Sequence, residues 1–277
     1  KEAGLVYLFG GTSVEKPIKI RGDNHVLFYG EPSLGKTQLI NYLISLSPRG
    51  IKVGGGESSK AGIIITVEKD ERQGWIPKAG AMILASGGHV AIDELDALPE
   101  EARNELHAAM ESQEVNLFKA SVKGTYKTQA AILACCNPQN DRFDYTQPPI
   151  TQLSLSPALL SRFDLLLPFK DVVDEKKDRE IIKTRLRVRD KDVVEKEMQP
   201  VYPKNLLRQY VHYARQNVFP EIKASSEAEE LITTYFVKQR LSGNAKGVYS
   251  LTYRQGEGVA RIAQAYAKMR LSPLVER

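Results

Sequence analysis

Gly30-Glu31-Pro32-Ser33-Leu34-Gly35-Lys36-Thr37 places glycine, glycine, lysine and a hydroxyl residue at the four fixed positions of G-x-x-x-x-G-K-[ST]. The apolar run Val26 to Tyr29 precedes it, and the helical pattern Gln38 to Leu46 follows. The segment therefore reads as strand, loop, helix. Glycines let such a loop curl until successive N–H groups face phosphate oxygens. The helix that opens behind it adds its positive end. Gly30, Glu31, Pro32, Ser33, Leu34, Gly35, Lys36 and Thr37 are the expected cradle for ATP. Lys36 would reach the β- and γ-phosphates, and the Thr37 hydroxyl would ligate Mg²⁺.

Outward from the loop, other apolar runs end in polar residues. Val90-Ala91-Ile92 leads into Asp93-Glu94. In open α/β sheets ligands bind at the carboxyl ends of strands. Asp93 is the expected organiser of the metal shell, and Glu94 the base that polarises an attacking water. Ile132 to Cys136 ends at Asn137-Pro138, where an amide could hold that water; a plain turn-forming Asn is the alternative. Leu165 to Leu167 is a fourth candidate strand, just after Ser161-Arg162-Phe163-Asp164. Arg162 reads either as an arginine finger or as an ion pair with Asp164. Strands of this kind between helical segments predict a parallel sheet covered by helices.

The 277 residues suffice for one large domain or for a core with a smaller partner. Beyond Asp171, helical spacing over Glu175–Leu186, Lys204–Gln216, Ala228–Arg240 and Arg254–Met269 predicts a helical second unit. The expected division is a core over 1–171, a charged linker over 172–203, and a helical lid over 204–277. The net charge of +5 permits an anionic partner without requiring one. No apolar run is long enough to cross a bilayer, so no membrane association is expected. Cys135 and Cys136 are adjacent inside an apolar run and read as small buried strand residues, which fits a reducing, intracellular compartment.

Taken together, Leu8-Phe9-Gly10-Gly11, Arg21-Gly22-Asp23, the phosphate loop, Ile92-Asp93-Glu94, Asn137-Pro138 and Leu160-Ser161-Arg162-Phe163-Asp164-Leu165 resemble the minichromosome maintenance (MCM) family in order and spacing. Gly80 to Ala85, Ala108-Ala109-Met110-Glu111-Ser112-Gln113, Lys119-Ala120, Tyr210 to Arg215 and Thr252-Tyr253-Arg254-Gln255 extend the resemblance over nearly the whole chain. It implies an α/β AAA+ P-loop NTPase with a parallel sheet core and a C-terminal helical lid. It also implies rings, usually hexamers of one or several chains, with ATP at subunit interfaces. Lys36, Thr37, Asp93, Glu94 and Asn137 would form the half-site belonging to the nucleotide's own subunit. Arg162, as the finger, and Arg254, as the second sensor, would act on the neighbour's nucleotide. Two insertions would line a central channel, one within Thr66–Ala79 and a presensor-1 hairpin from about Val115 to Ala131.

In that second insertion Lys123-Gly124-Thr125 is the expected turn, flanked by Lys123 and Lys127. A ring of such lysines would grip a DNA backbone without reading bases, whereas on one isolated hairpin they are solvated charges. Trp75 in the first insertion reads as packing, with base stacking as the alternative. Departures from the family pattern include Lys78, where an acidic residue is common, and Gly256 and Gly258, which should weaken the helix carrying Arg254. The implied function is an ATP-driven DNA helicase or translocase. The alternatives are a divergent paralogue that binds nucleotide mainly for assembly, or a chelatase- or MoxR-type remodeller. The expected location is cytoplasmic or nucleoid in a prokaryote, which is mildly favoured, and nuclear in a eukaryote.

Overall fold

Four of the apolar runs become strands of one parallel sheet: β1 (Val26–Gly30), β5 (His89–Asp93), β8 (Ala131–Cys136) and β9 (Leu165–Phe169). The fifth strand, β2 (Gly50–Gly54), joins at one edge, giving the order β2-β5-β8-β1-β9 with every pairing parallel. The computed structural model describes residues 1–56, 60–72, 74–119, 122–190, 199–245 and 252–276. β1 and β8 are buried along their whole length, because helices cover both faces. Pro168 is tolerated because β9 is an edge strand, where a missing N–H breaks no ladder.

Strand alternation divides the core in two. Leu27, Ile92, Ile132 and Cys136 face a cluster completed by Met82 from helix α4 (Ala81–Leu84) and by Leu106 and Met110 from α5 (Glu100–Ser112). Val26, Phe28, Leu133 and Cys135 face the opposite cluster. That cluster contains Tyr7, Leu8 and Phe9 from α1 (Glu2–Phe9) and Ile40, Leu43 and Leu46 from α2 (Lys36–Leu46). Both cysteines are free and buried, as expected of small strand residues.

Between these elements lie α3 (Lys60–Ile63) and two antiparallel hairpins. β3 (Ile65–Asp70) and β4 (Gly74–Ala79) form the first. Lys78 pairs across it with Glu68 at 3.0 Å, and Trp75 is half-exposed opposite Lys69 rather than packed in the core. β6 (Glu114–Lys119) and β7 (Val122–Lys127) form the second.

The expected turn at Lys123-Gly124-Thr125 is corrected here. Lys123 pairs with Phe118, Gly124 with Leu117 and Lys127 with Glu114, so the chain reverses between Lys119 and Val122. Lys123 stands near the tip, and Lys127 stands at the base rather than beside the turn. The hairpin's alternating pattern buries Val122, Gly124 and Tyr126 partway and exposes Lys123, Thr125 and Lys127. Gly124 is a strand glycine: a Cβ there would stand 3.1 Å from the Tyr126 ring.

After the short α6 (Pro157–Leu160), helix α7 (Glu175–Arg187) has no buried residue. The expected linker 172–203 thus contains a helix, and part of it falls outside the described residues. Then follow α8 (Lys204–Asn217), α9 (Glu227–Ala245) and α10 (Tyr253–Met269). A capping box of Thr252 and Gln255 starts α10. Its two glycines do not interrupt the helix. A Cβ on Gly256 would stand 3.1 Å from the Phe236 ring, and one on Gly258 3.0 Å from Asp164 Oδ1. Close packing at these positions offsets their poor helix propensity.

The helices dock on the amino-terminal segment through buried polar contacts. Arg215 Nη2 lies 2.9 Å from Asp23 Oδ1, and Lys268 Nζ donates to the Gly11 carbonyl at 2.7 Å. Asp164 is the central tie. It accepts from Arg21 Nη2 at 2.8 Å, from Arg261 Nη2 on α10 at 2.6 Å and from the His25 N–H at 2.8 Å. Asp164 is held by Arg21 and Arg261, and the ion pair of Arg162 is with Glu111 instead.

Candidate active site

A cavity of about 400 Å³ opens at the carboxyl edge of β1, β5 and β8. Pro32, Ser33, Gly35, Lys36 and Thr37 line it from the loop, Asp93 and Glu94 from β5, and Asn137 from the end of β8. Gly30 must be glycine: its φ is 156°, and a Cβ would stand 2.0 Å from the Phe169 carbonyl oxygen. Gly35 caps α2 in the left-handed region at φ 82°, which turns the helix N-terminus toward the cavity. Glu94 has a positive φ of 57°, a conformation a non-glycine residue adopts at a cost and one that concentrates at functional sites.

Lys36 is buried, and its Nζ donates to the carbonyls of Gly30 and Glu31, each at 2.7 Å. Burial lowers its ammonium pKa, with nearby Cys135, Cys136, Asp96 and Asp93 opposing the shift. Two of its three protons are thus spent on shaping the loop. The Thr37 hydroxyl donates to Asp93 Oδ1 at 3.1 Å. The same oxygen accepts from the Cys135 thiol at 2.8 Å, while Oδ2 lies 3.1 Å from Lys52 Nζ on β2. Burial would raise the Asp93 pKa, but the bonds from Cys135, Lys52 and Thr37 outweigh it and hold the carboxyl below its usual range. The Cys135 thiol is pushed up to about 12 by burial and by the aspartate, so it stays protonated as a donor.

A hydroxyl and a carboxylate meeting beside a phosphate cradle suit Mg²⁺, which takes hard oxygen ligands and few protein groups. Among the described residues no group of three or more His, Cys, Asp or Glu side chains is arranged as a closed metal cage. The Asn137 N–H donates to Asp96 Oδ1 at 3.3 Å, which fixes the strand end bearing the amide.

Of the expected cradle, Gly30, Glu31 and Leu34 do not line the cavity. The Glu31 carboxylate turns away and accepts from the Asp171 N–H at 2.7 Å, the Phe143 N–H at 3.3 Å and the Tyr145 hydroxyl. It anchors the loop from behind, and Gly30 and Glu31 contribute the carbonyls that hold Lys36. Arg185, on α7, lines the cavity and was not singled out by the sequence, because it is one of several cations in a charged helix.

Arg162 and Arg254 are not in this cavity. They line a second one of about 350 Å³, together with Lys19, Arg21, Glu111 and Arg261. The Arg162 side chain is buried, with Nε donating to His107 Nε2 at 3.0 Å and Nη2 lying 2.5 Å from Glu111 Oε2. Arg254 Nη2 lies 3.3 Å from the other oxygen, Glu111 Oε1. Burial, then the charge of Arg162, keeps the His107 pKa down, which suits a neutral ring accepting a guanidinium proton. The chain therefore gathers Lys36, Thr37, Asp93, Glu94 and Asn137 in one place and the two arginines in another. Among the described residues none lines both cavities.

An all-parallel sheet in this order, with a phosphate loop, an acidic strand end and a helical lid, defines an AAA+ P-loop module. Residues 1–189 match the family model of the MCM P-loop domain, and residues 205–277 match that of the MCM AAA-lid domain. The chain belongs to the MCM family. It is 37% identical over 281 residues to the minichromosome maintenance protein MCM of Saccharolobus solfataricus, covering 100% of this chain and 40% of that protein. To the DNA replication licensing factor MCM4 of Oryza sativa subsp. japonica it is 36% identical over 285 residues, covering 100% of this chain and 32% of the relative. To the probable DNA helicase MCM9 of Oryza sativa subsp. indica it is 34% identical over 253 residues, covering 91% of this chain and 37% of the relative. The chain thus spans well under half the length of these relatives.

Proposed function

We propose that this chain is the ATPase motor of a ring, usually a hexamer, that hydrolyses ATP between subunits and moves DNA through the ring. The observation that carries the reading is the separation of the two cavities within one chain. A complete phosphoryl-transfer site needs both the loop with its carboxylates and a cation to neutralise the transition state. Here Arg162 and Arg254 are held away from the loop and its carboxylates, which supports a neighbouring copy as the source of that cation; Arg185 is the arginine that lines the first cavity itself.

In this reading Lys36 and the loop N–H groups bind the triphosphate. Asp93 and Thr37 hold Mg²⁺, which when bound neutralises phosphate charge. Glu94 takes a proton from the attacking water, and Asn137 orients that water. Arg162 and Arg254 stabilise negative charge on the neighbour's γ-phosphate. The β6–β7 hairpin supplies the DNA contact. Lys123 stands beside Phe118, which is 75% exposed, and a cation next to an aromatic face suits a single strand. Lys127, at the base, adds charge further from the tip.

The test is ATP turnover by the assembled full-length protein with and without single-stranded DNA. DNA should stimulate wild-type turnover, with binding that falls steeply as salt rises. Glu94→Gln should bind ATP and barely turn it over. Full turnover by Glu94→Gln, or no response to DNA, would reject the reading.

A further inference from the structure

Glu111 stands one helical turn after His107 on α5, and both side chains meet Arg162. The surrounding cavity gathers the cations Lys19, Arg21, Arg162, Arg254 and Arg261. Asp164 answers Arg21 and Arg261, and Glu257 approaches Arg261 at 3.7 Å. Glu111 is the carboxylate that contacts both Arg162 and Arg254, one with each oxygen. These guanidiniums come from different parts of the fold: Arg162 follows α6 in the core, and Arg254 opens lid helix α10. Two like charges this close repel unless an anion lies between them.

We propose that Glu111, together with His107, is the positioning residue of the trans half-site. It brings the core arginine and the lid arginine to one point, so that both reach a neighbouring copy's phosphate together. His107 Nε2 accepts a hydrogen bond from the Arg162 Nε–H and fixes the plane of the guanidinium, leaving terminal N–H groups for phosphate. Glu111 is half-exposed, so an incoming phosphate can share or replace its hold; a phosphate accepts guanidinium protons in the same forked way. Glu111 also ties lid orientation to the finger, because its bond to Arg254 lasts only while α10 stays docked.

This rests on the trans reading proposed above, and the two can be separated by mixing variants of the assembled full-length protein. Glu111→Ala should bind a fluorescent ATP analogue within about twofold of wild type, since the binding cavity lies elsewhere. Its turnover should fall about a hundredfold with little change in KM, as expected when catalytic groups are misplaced by about an ångström. Mixing it with Lys36→Ala should restore turnover, because Lys36→Ala subunits carry intact arginines. Mixing it with Arg162→Ala should not. Glu111→Gln, which keeps the shape and one acceptor oxygen, should lose less and follow the same mixing pattern. Wild-type turnover in both Glu111 variants, or rescue by Arg162→Ala and not by Lys36→Ala, would overturn the proposal. If Lys36→Ala and Arg162→Ala fail to restore each other, the trans reading itself fails. If they succeed while Glu111→Ala stays inactive with Lys36→Ala, only the role of Glu111 fails.

Discussion

Replacing Asp164 should cost this chain more stability than any other single surface-distant carboxylate change. Its side chain is 3% exposed and faces Arg261 at 2% and Arg21 at 12%. Asp164→Ala removes the carboxylate partner of both guanidiniums and the acceptor of the His25 N–H at once, although Arg21 Nη2 keeps the Arg162 carbonyl at 2.9 Å. Among the described residues Arg261 would keep Glu257 as its carboxylate, 3.7 Å away and half-exposed. Removing one partner of a buried ion pair costs about 3–5 kcal/mol, chiefly because the remaining charge is stranded. An orphaned backbone donor adds about 1 kcal/mol or more, although the two losses are not additive. A loss of about 4 kcal/mol is therefore expected, a large part of a typical domain's total. Asp164→Asn should lose less, since its amide oxygen can still accept from His25. Arg261→Met should lose least, because Asp164 keeps Arg21. Urea unfolding followed by circular dichroism measures all three. A loss below about 1 kcal/mol for Asp164→Ala would refute the view that this carboxylate ties the lid to the core.

Other consequences follow from the same contacts. His25 and His89 are fully buried, and burial, then neighbouring arginines, depresses both pKa values well below 6.5. Their neutral forms are favoured by folding, so this contribution is present above pH 6.5 and is lost as pH falls. Between pH 6.5 and 5 each should cost up to about 1.4 kcal/mol per pH unit, visible as a falling urea midpoint, and a flat profile would contradict it. Lys52→Met removes the ammonium beside Asp93, so the Mg²⁺ concentration that half-saturates binding of a fluorescent ATP analogue should fall about two- to fivefold, the worth of a partly exposed pair. A rise would show that Lys52 supports the metal rather than competing with it. Phe118→Ala should weaken single-strand binding by the full-length assembly by about 1–3 kcal/mol whatever the base sequence, and unchanged affinity would remove the hairpin from the DNA path.

The parts of this account that the sequence made legible are those written in contiguous residues. The phosphate loop, Asp93-Glu94 and Asn137 each close an apolar run, and such runs announce both the sheet and the edge where chemistry sits. The lid helices α8 to α10 show through their spacing. β2 does not, because it is an edge strand that alternates Lys52 with buried Val53 between glycines. The hairpin turn is misread because Gly124 suggests a bend, whereas its missing side chain makes room for a ring two residues on. The Glu31 carboxylate, the Cys135 thiol, Arg185 and Glu111 acquire their roles from partners distant in the chain, and no local pattern points to them. Arg162 differs, because the sequence offers it two readings. Its neighbour Asp164 offers an obvious ion pair in sequence, yet that carboxylate is taken by Arg21 and by Arg261, 97 residues further on.

The claim on which the rest depends is that Arg162 and Lys36 serve different nucleotides. Binding of a fluorescent ATP analogue and ATP turnover, both measured on Arg162→Ala and Lys36→Ala in the assembled full-length protein, test it most directly. Lys36→Ala should lose binding. Arg162→Ala should bind within about twofold of wild type yet turn over about a thousandfold more slowly, the usual worth of an arginine finger. Loss of binding in Arg162→Ala equal to that in Lys36→Ala, or turnover at the wild-type rate, would contradict the account.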